Sequence, residues 1–170
     1  MKGISKKFIV LICALFAFNR GLFADENLAL HNALNTNDLA DFKRKVDAAL
    51  NAGVQINHRS NGWTVLHAAA LESHTDLNMW KETIDYLIEK GANPKLTIES
   101  SDYYNGFNPR KVAEKCADVA TKSANNPPSD ADPELWKKNQ QQAANNYSDI
   151  ANYLAKKEED PKQIADKRSY

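Results

Sequence analysis

Apolar residues in the middle of the chain recur at helical spacing, and the whole pattern returns 38 positions later. Leu39, Phe42, Val46, Ala49 and Leu50, followed by Gly53, come back as Leu77, Trp80, Ile84, Leu87 and Ile88, followed by Gly91. Steps of 3, 4, 3 and 1 place the apolar members on one stripe of an α-helix, and the glycine falls where a helix would stop. Upstream of each stripe, Leu30-His31-Asn32-Ala33 matches Leu66-His67-Ala68-Ala69. Two helices per unit, repeated, predict units that bury their apolar faces against one another in a stack.

The first unit is a short helix marked by Leu28, Leu30, Ala33 and Leu34, a turn at Asn35-Thr36-Asn37-Asp38, and a second helix from about Leu39 to Asn51. A polar connection, Gln55 to Gly62, turns at Ser60-Asn61-Gly62. The second unit has Thr64 as cap of a helix through Leu71, a turn at Glu72-Ser73-His74-Thr75, and a longer helix from about Leu77 to Lys90, with Pro94 beyond its stop. A third unit starts at Gly106-Phe107-Asn108-Pro109 and runs through Val112, Ala113, Cys116, Ala117 and Ala120. Ser123 to Pro133, rich in Asn, Ser, Asp and Pro, reads as a loop. Leu135 and Trp136 open a last helix, on which Ala143, Tyr147, Ile150, Tyr153 and Leu154 rebuild the stripe. The charged tail from Glu158 to Tyr170, with Pro161, is expected to fray.

Gly62-Trp63-Thr64-Val65-Leu66-His67-Ala68-Ala69 resembles the G-x-T-P-L-H-x-A-A signature of the ankyrin repeat, with Val65 in place of Pro. Ile84 to Asn93 resembles that repeat's second helix and its Gly-Ala-Asp close. Leu30 to Ala33 with Ala49 to Gly53 is similar to a first copy without its leading turn. Gly106 to Pro109 with Val112-Ala113 is similar to a third, degenerate one in which Arg110-Lys111 replace Leu-His. The resemblance implies an all-α solenoid of three helix-turn-helix repeats with β-hairpin-like fingers, the repeats covering about 28–57, 58–95 and 105–157 within a domain 25–157. The second helices exceed those of an ideal ~33-residue repeat by about a turn. The last repeat carries an insertion at 121–140, and 158–170 is the tail. It further implies binding of a protein partner through finger tips and the inner helical face, with no chemistry of its own; fold alone does not fix function.

The N-terminus changes where such a module would act. Lys2, Lys6 and Lys7 precede an unbroken apolar run from Phe8 to Phe18, and Ala24 stands before Asp25-Glu26. This pattern predicts a secretory signal peptide over 1–24; its 11 apolar residues are too few for a membrane core that needs about 20. The leader holds four basic residues and no acid, so of 22 basic residues 18 remain against 22 acidic ones, a formal charge of −4. That balance argues against nucleic acid or an anionic membrane as partner. Cys116 alone remains after cleavage, so packing and not a disulfide must hold the fold, and its spacing from Val112 and Ala113 suits a buried small side chain. A periplasmic or secreted location follows, and a monomer is expected.

The chemistry-bearing residues converge on no reaction. His31 and His67 hold the same place in two repeats, where the resemblance implies hydrogen bonding to neighbouring backbone; His58 and His74 stand apart. No HExxH, Gly-x-Ser-x-Gly, Cys-x-x-Cys or phosphate loop is present, so no enzyme, metal or cofactor is expected. Asp130, Asp132 and Glu134 could be read as a cation site, but their spacing lacks the glycine of a Ca²⁺ loop. Asn146-Tyr147-Ser148 fits the glycosylation pattern on a predicted helix, a poor context for it. Trp80 and Trp136 are expected to pack, and Trp63 to serve structure or binding.

More suggestive is the connection from Gly91 to Gly106, 15 positions against 9 between Gly53 and Gly62, with Asp102-Tyr103-Tyr104-Asn105 near its tip. Tyrosines give large contact area at low rotamer cost. The candidate partner-binding residues are therefore Arg59, Asn61, Trp63, Glu72, His74, Tyr103, Tyr104 and Asn105. The resemblance to exported bacterial ankyrin-repeat proteins implies three candidate roles: protecting or supporting a periplasmic enzyme, neutralising a toxin as an immunity protein, or acting on a host protein after secretion.

Overall fold

The computed structural model describes residues 28–36, 38–100 and 103–159. The predicted signal peptide, Asp102 and the tail beyond Glu159 lie outside the described residues. Three antiparallel helix pairs follow in chain order: α1 (Ala29–Ala33) with α2 (Leu39–Asn51), α3 (Val65–Glu72) with α4 (Leu77–Glu89), and α5 (Pro109–Ala124) with α6 (Pro133–Glu159). Each pair packs on the next: α1 meets α3 and α3 meets α5 in an inner row, while α2 meets α4 and α4 meets α6 in an outer row.

Local chemistry sets the starts of these helices. Asp38 and Asp76, 38 positions apart, cap α2 and α4 by accepting from Ala40 N at 2.8 Å and from Asn78 N and Met79 N at 3.1 Å. Asn108 caps α5 through Lys111 N at 2.9 Å, with Pro109 in the first turn, where no N–H is needed. The stripes then bury as spaced. Phe42, Val46 and Ala49, then Trp80, Ile84, Leu87 and Ile88, then Tyr147, Ile150 and Leu154 join Leu30, Leu66, Val112 and Cys116 in one continuous core.

A side-chain ladder repeats along the outer row. Lys90, which caps the end of α4, pairs with Asp47 on α2 at 2.6 Å and lies 5.0 Å from the Tyr86 ring centre, with Lys43 at 5.4 Å from the same ring. One repeat on, Lys157 on α6 pairs with Asp85 on α4 at 2.7 Å and lies 5.0 Å from Tyr153, with Lys81 at 5.8 Å. The Tyr153 hydroxyl also donates to Asp85 Oδ2. Hydrogen bonds from Lys90 and then Tyr86 hold the Asp47 carboxyl below its usual range.

The β-hairpin-like fingers are not formed. Among the described residues there is no β-strand, only an isolated antiparallel bridge between Ser60 and Trp63. The turn between them has positive φ at both Asn61 and Gly62, which closes the chain on itself at once. Thr64, the next residue, already caps α3, so no length is left for a second pair. On the other side, side chains take the groups a ladder would use. Asn57 donates to Gly91 O at 3.0 Å and accepts from Asn93 N at 2.8 Å, stitching successive connections together.

Two further expectations change. The predicted 123–133 loop is shorter by three residues: α5 continues to Ala124 and α6 starts at Pro133, leaving 125–132 between them. The reason is that Ala117, Ala120 and Ala124 bury a small-residue face, Ala144 is buried on α6, and the Trp136 indole donates to Ser123 O at 2.8 Å. At the other end, α6 does not fray at Glu158. Its carboxylate accepts from Asn108 Nδ2 at 2.9 Å and Arg110 Nε at 3.2 Å, tying the last turn to the start of α5.

Candidate partner-binding surface

The long connection before α5 presents the most exposed aromatic of the described residues. Its base is closed by Ile98 N donating to Phe107 O at 2.8 Å and Gly106 N to Ile98 O at 2.9 Å. Tyr103 then stands out, 66% exposed, on a pedestal of rings: Tyr104 at 5.5 Å and Phe107 at 6.4 Å between centroids. Lys115 on α5 places its ammonium 5.0 Å from the Tyr103 ring centre. Hydrogen bonding with Tyr103, then the nearby Asp118 charge, pushes the Lys115 pKa up.

Trp63 is not on this surface but beneath it. It is 6% exposed, with Tyr104 edge-on at 5.2 Å and His67 at 6.2 Å. Edge-to-face contacts of this kind are favoured by the ring quadrupoles, so Trp63 couples the two connections through packing. Their backbones also meet, Glu99 N donating to Gly62 O at 3.2 Å. Arg59 bridges the same gap by donating to Thr97 O at 3.1 Å and pairing with Glu99 at 2.9 Å. Asn61 and Asn105 are exposed at the two tips.

The candidate residues thus fall into two groups. Arg59, Asn61, Trp63, Tyr103, Tyr104 and Asn105 belong to adjacent connections. Glu72 ends α3 and His74 lies in the following turn, so the length of α3, about 12 Å for eight residues, separates them from the first group. His74 is exposed, its ring 6.0 Å from that of Tyr147 on α6. Behind it Asn146, buried, donates to His74 O and Thr75 O at 2.9 Å each, and the Tyr147 hydroxyl donates to Leu71 O at 2.8 Å. The glycosylation-like triplet is therefore a brace between repeats, with its asparagine turned inward.

His67 is a hub of the inner row. Its Nδ1 accepts from Thr64 N at 3.2 Å, so Nε2 carries the proton and donates to Phe107 O at 3.1 Å. This imidazole is fully buried, and desolvation lowers its pKa to about 4, helped by the Arg59 charge. His31 also falls to about 4, first through burial and then through the neighbouring His58. Asp132 spends its carboxylate on Glu134 N and Leu135 N at 3.0 Å, capping α6. Among the described residues no three His, Cys, Asp or Glu side chains converge as metal ligands would, and no helix is long and apolar enough to cross a membrane.

The outer ladder and the Lys115–Tyr103 contact were missed by sequence reasoning. The signal for the ladder was available: Lys43-x3-Asp47 recurs as Lys81-x3-Asp85, and Tyr86-x3-Lys90 recurs as Tyr153-x3-Lys157.

Neither curated proteins nor solved structures offer a match to this chain. Residues 61–98 do match the family model described as the ankyrin repeat, the segment holding the Asn61-Gly62 turn, α3, α4 and the connection up to Ile98. That match supports membership of the ankyrin repeat family.

Proposed function

We propose that this protein is an exported, monomeric, non-catalytic binding module that protects or inhibits a periplasmic enzyme or toxin by covering part of its surface. The observation that carries the binding surface is Tyr103, one of two exposed large apolar side chains among the described residues, raised on Tyr104 and Phe107 and flanked by Lys115. An exposed, supported tyrosine loses little freedom on binding, which is what interface anchors require. Arg59, Asn61 and Asn105 supply a polar rim around it, and a standard interface of about 800 Å² per partner would also reach the inner helices. Export rests on the signal-like pattern of residues 1–24, and the enzyme- or toxin-directed role on resemblance to exported ankyrin proteins.

The test is affinity capture from the native compartment with the wild-type chain and a Tyr103→Ala variant. Tyr103 makes only surface contacts, so the variant should fold as the wild type does and lose at least tenfold in recovery of the partner. Equal recovery by both proteins would overturn the assignment of this surface.

A further inference from the structure

Three imidazoles and a guanidinium gather where the first helix pair meets the second. His31 comes from α1, His58 and Arg59 from the connection between α2 and α3, and His67 from α3. Neither ring nitrogen of His31 has a hydrogen-bond partner of good geometry, although both are buried, and Arg59 Nε is in the same position. The ring of His31 faces the backbone of Trp63 and Thr64, and that of His67 holds Thr64 N on one side and Phe107 O on the other. Both imidazoles therefore flank the short Trp63-Thr64 segment.

The titratable groups acting on the two rings are His58, Arg59 and the rings themselves; no charge on α2, α4 or α5 figures among them. Arg59 is partly balanced by Glu99, which belongs to the next connection and is itself exposed. Added protons would thus put positive charges side by side with no carboxylate at either imidazole. A proton on His67 Nδ1 removes the lone pair that accepts from Thr64 N and obliges the Thr64 hydroxyl, 2.7 Å from Nδ1, to turn from donor to acceptor, in addition to burying a charge.

We propose that this cluster is a proton-operated catch, in which charging His31 and His67 frees the Arg59–Thr64 segment from α1 and from the neighbouring Ile98–Phe107 connection while the rest of the stack stays folded. Local release is expected because α1 has five residues and, in a linear stack, each unit leans only on its neighbours. Each imidazole falls from 6.5 to about 4 in the folded state, so its release equilibrium rises roughly 30-fold between pH 7.5 and pH 5.

Amide hydrogen exchange on the full chain, corrected for the intrinsic pH dependence of exchange, reads this directly. The N–H groups of Trp63 and Glu99, bonded to Ser60 O and Gly62 O, should open about 30-fold more at pH 5 than at pH 7.5, whereas interior amides of α4 and α6, which open only with the whole stack, stay better protected than these two at both pH values. A His31→Gln variant should lose most of the rise at Trp63. His67→Gln should do so at Glu99, and should that variant fail to fold, NMR titration of the wild-type imidazoles stands in for it. A flat profile, an unchanged profile in His31→Gln, Trp63 and Glu99 amides no less protected at pH 5 than the interior of α4 and α6, or imidazole midpoints near 6.5 would each overturn the proposal.

Discussion

Replacing Gly62 by Ala isolates the contact between the two connections. At Gly62 the backbone has φ +84°, and a Cβ built there would lie 2.1 Å from Glu99 O and 2.6 Å from Glu99 C. Both atoms are backbone, held by the Glu99 N to Gly62 O bond and by the closed base of the longer connection, so neither can swing away as a side-chain end could. Gly106 provides the control, with φ +78° and nothing within 4 Å of an added Cβ. An L-residue in left-handed backbone costs about 1–2 kcal/mol, the full expectation for Gly106→Ala. Gly62→Ala adds the cost of forcing two packed backbones apart, about 1–3 kcal/mol, for a total of roughly 2–5 kcal/mol. Urea denaturation followed by far-UV circular dichroism measures both variants against the wild type. If Gly62→Ala were no more than about 0.5 kcal/mol worse than Gly106→Ala, the contact would not constrain the connections as argued.

Other consequences follow from the same geometry. Tyr147→Phe removes the bond to Leu71 O and should cost about 1–2 kcal/mol, and Asn146→Ala, which strips two carbonyls of their donor, about 1–3 kcal/mol; thermal unfolding at pH 7 would show either. Global stability should fall with acid in a defined window. Because His31 and His67 bind protons more weakly when folded, their contribution is complete above pH 6.5 and lost progressively down to about pH 4, at most about 3 kcal/mol each. Paired carboxylates such as Asp41 and Asp118, whose pKa values are lowered by hydrogen bonds from Lys45 and Lys122, lose theirs only at more acid pH. Equal urea midpoints at pH 7 and pH 4.5 would contradict the burial of the two imidazoles in their neutral form.

Helical spacing and the 38-residue echo determined the helix pairs, their apolar faces and the ends of α2 and α4, because periodicity and capping are local and each stripe needs a neighbour to cover it. Thr64 as a cap, Asp38 in a capping turn, Cys116 as a core residue and the equivalence of His31 with His67 were legible for the same reason. What the connections do was decided by tertiary structure. Asn61-Gly62 turns too tightly, and Thr64 starts a helix too soon, for a hairpin to form, while Asn57 takes bonds that strands would have shared. Trp63 could have faced partner or core; the ring of Tyr104, 41 positions on, covers it. Composition marked 123–133 as loop, yet the alanine face of α5 and the Trp136 bond to Ser123 extend both helices into it. These outcomes depend on which distant side chain arrives to pair or pack, and a linear pattern carries no record of that until the chain is folded.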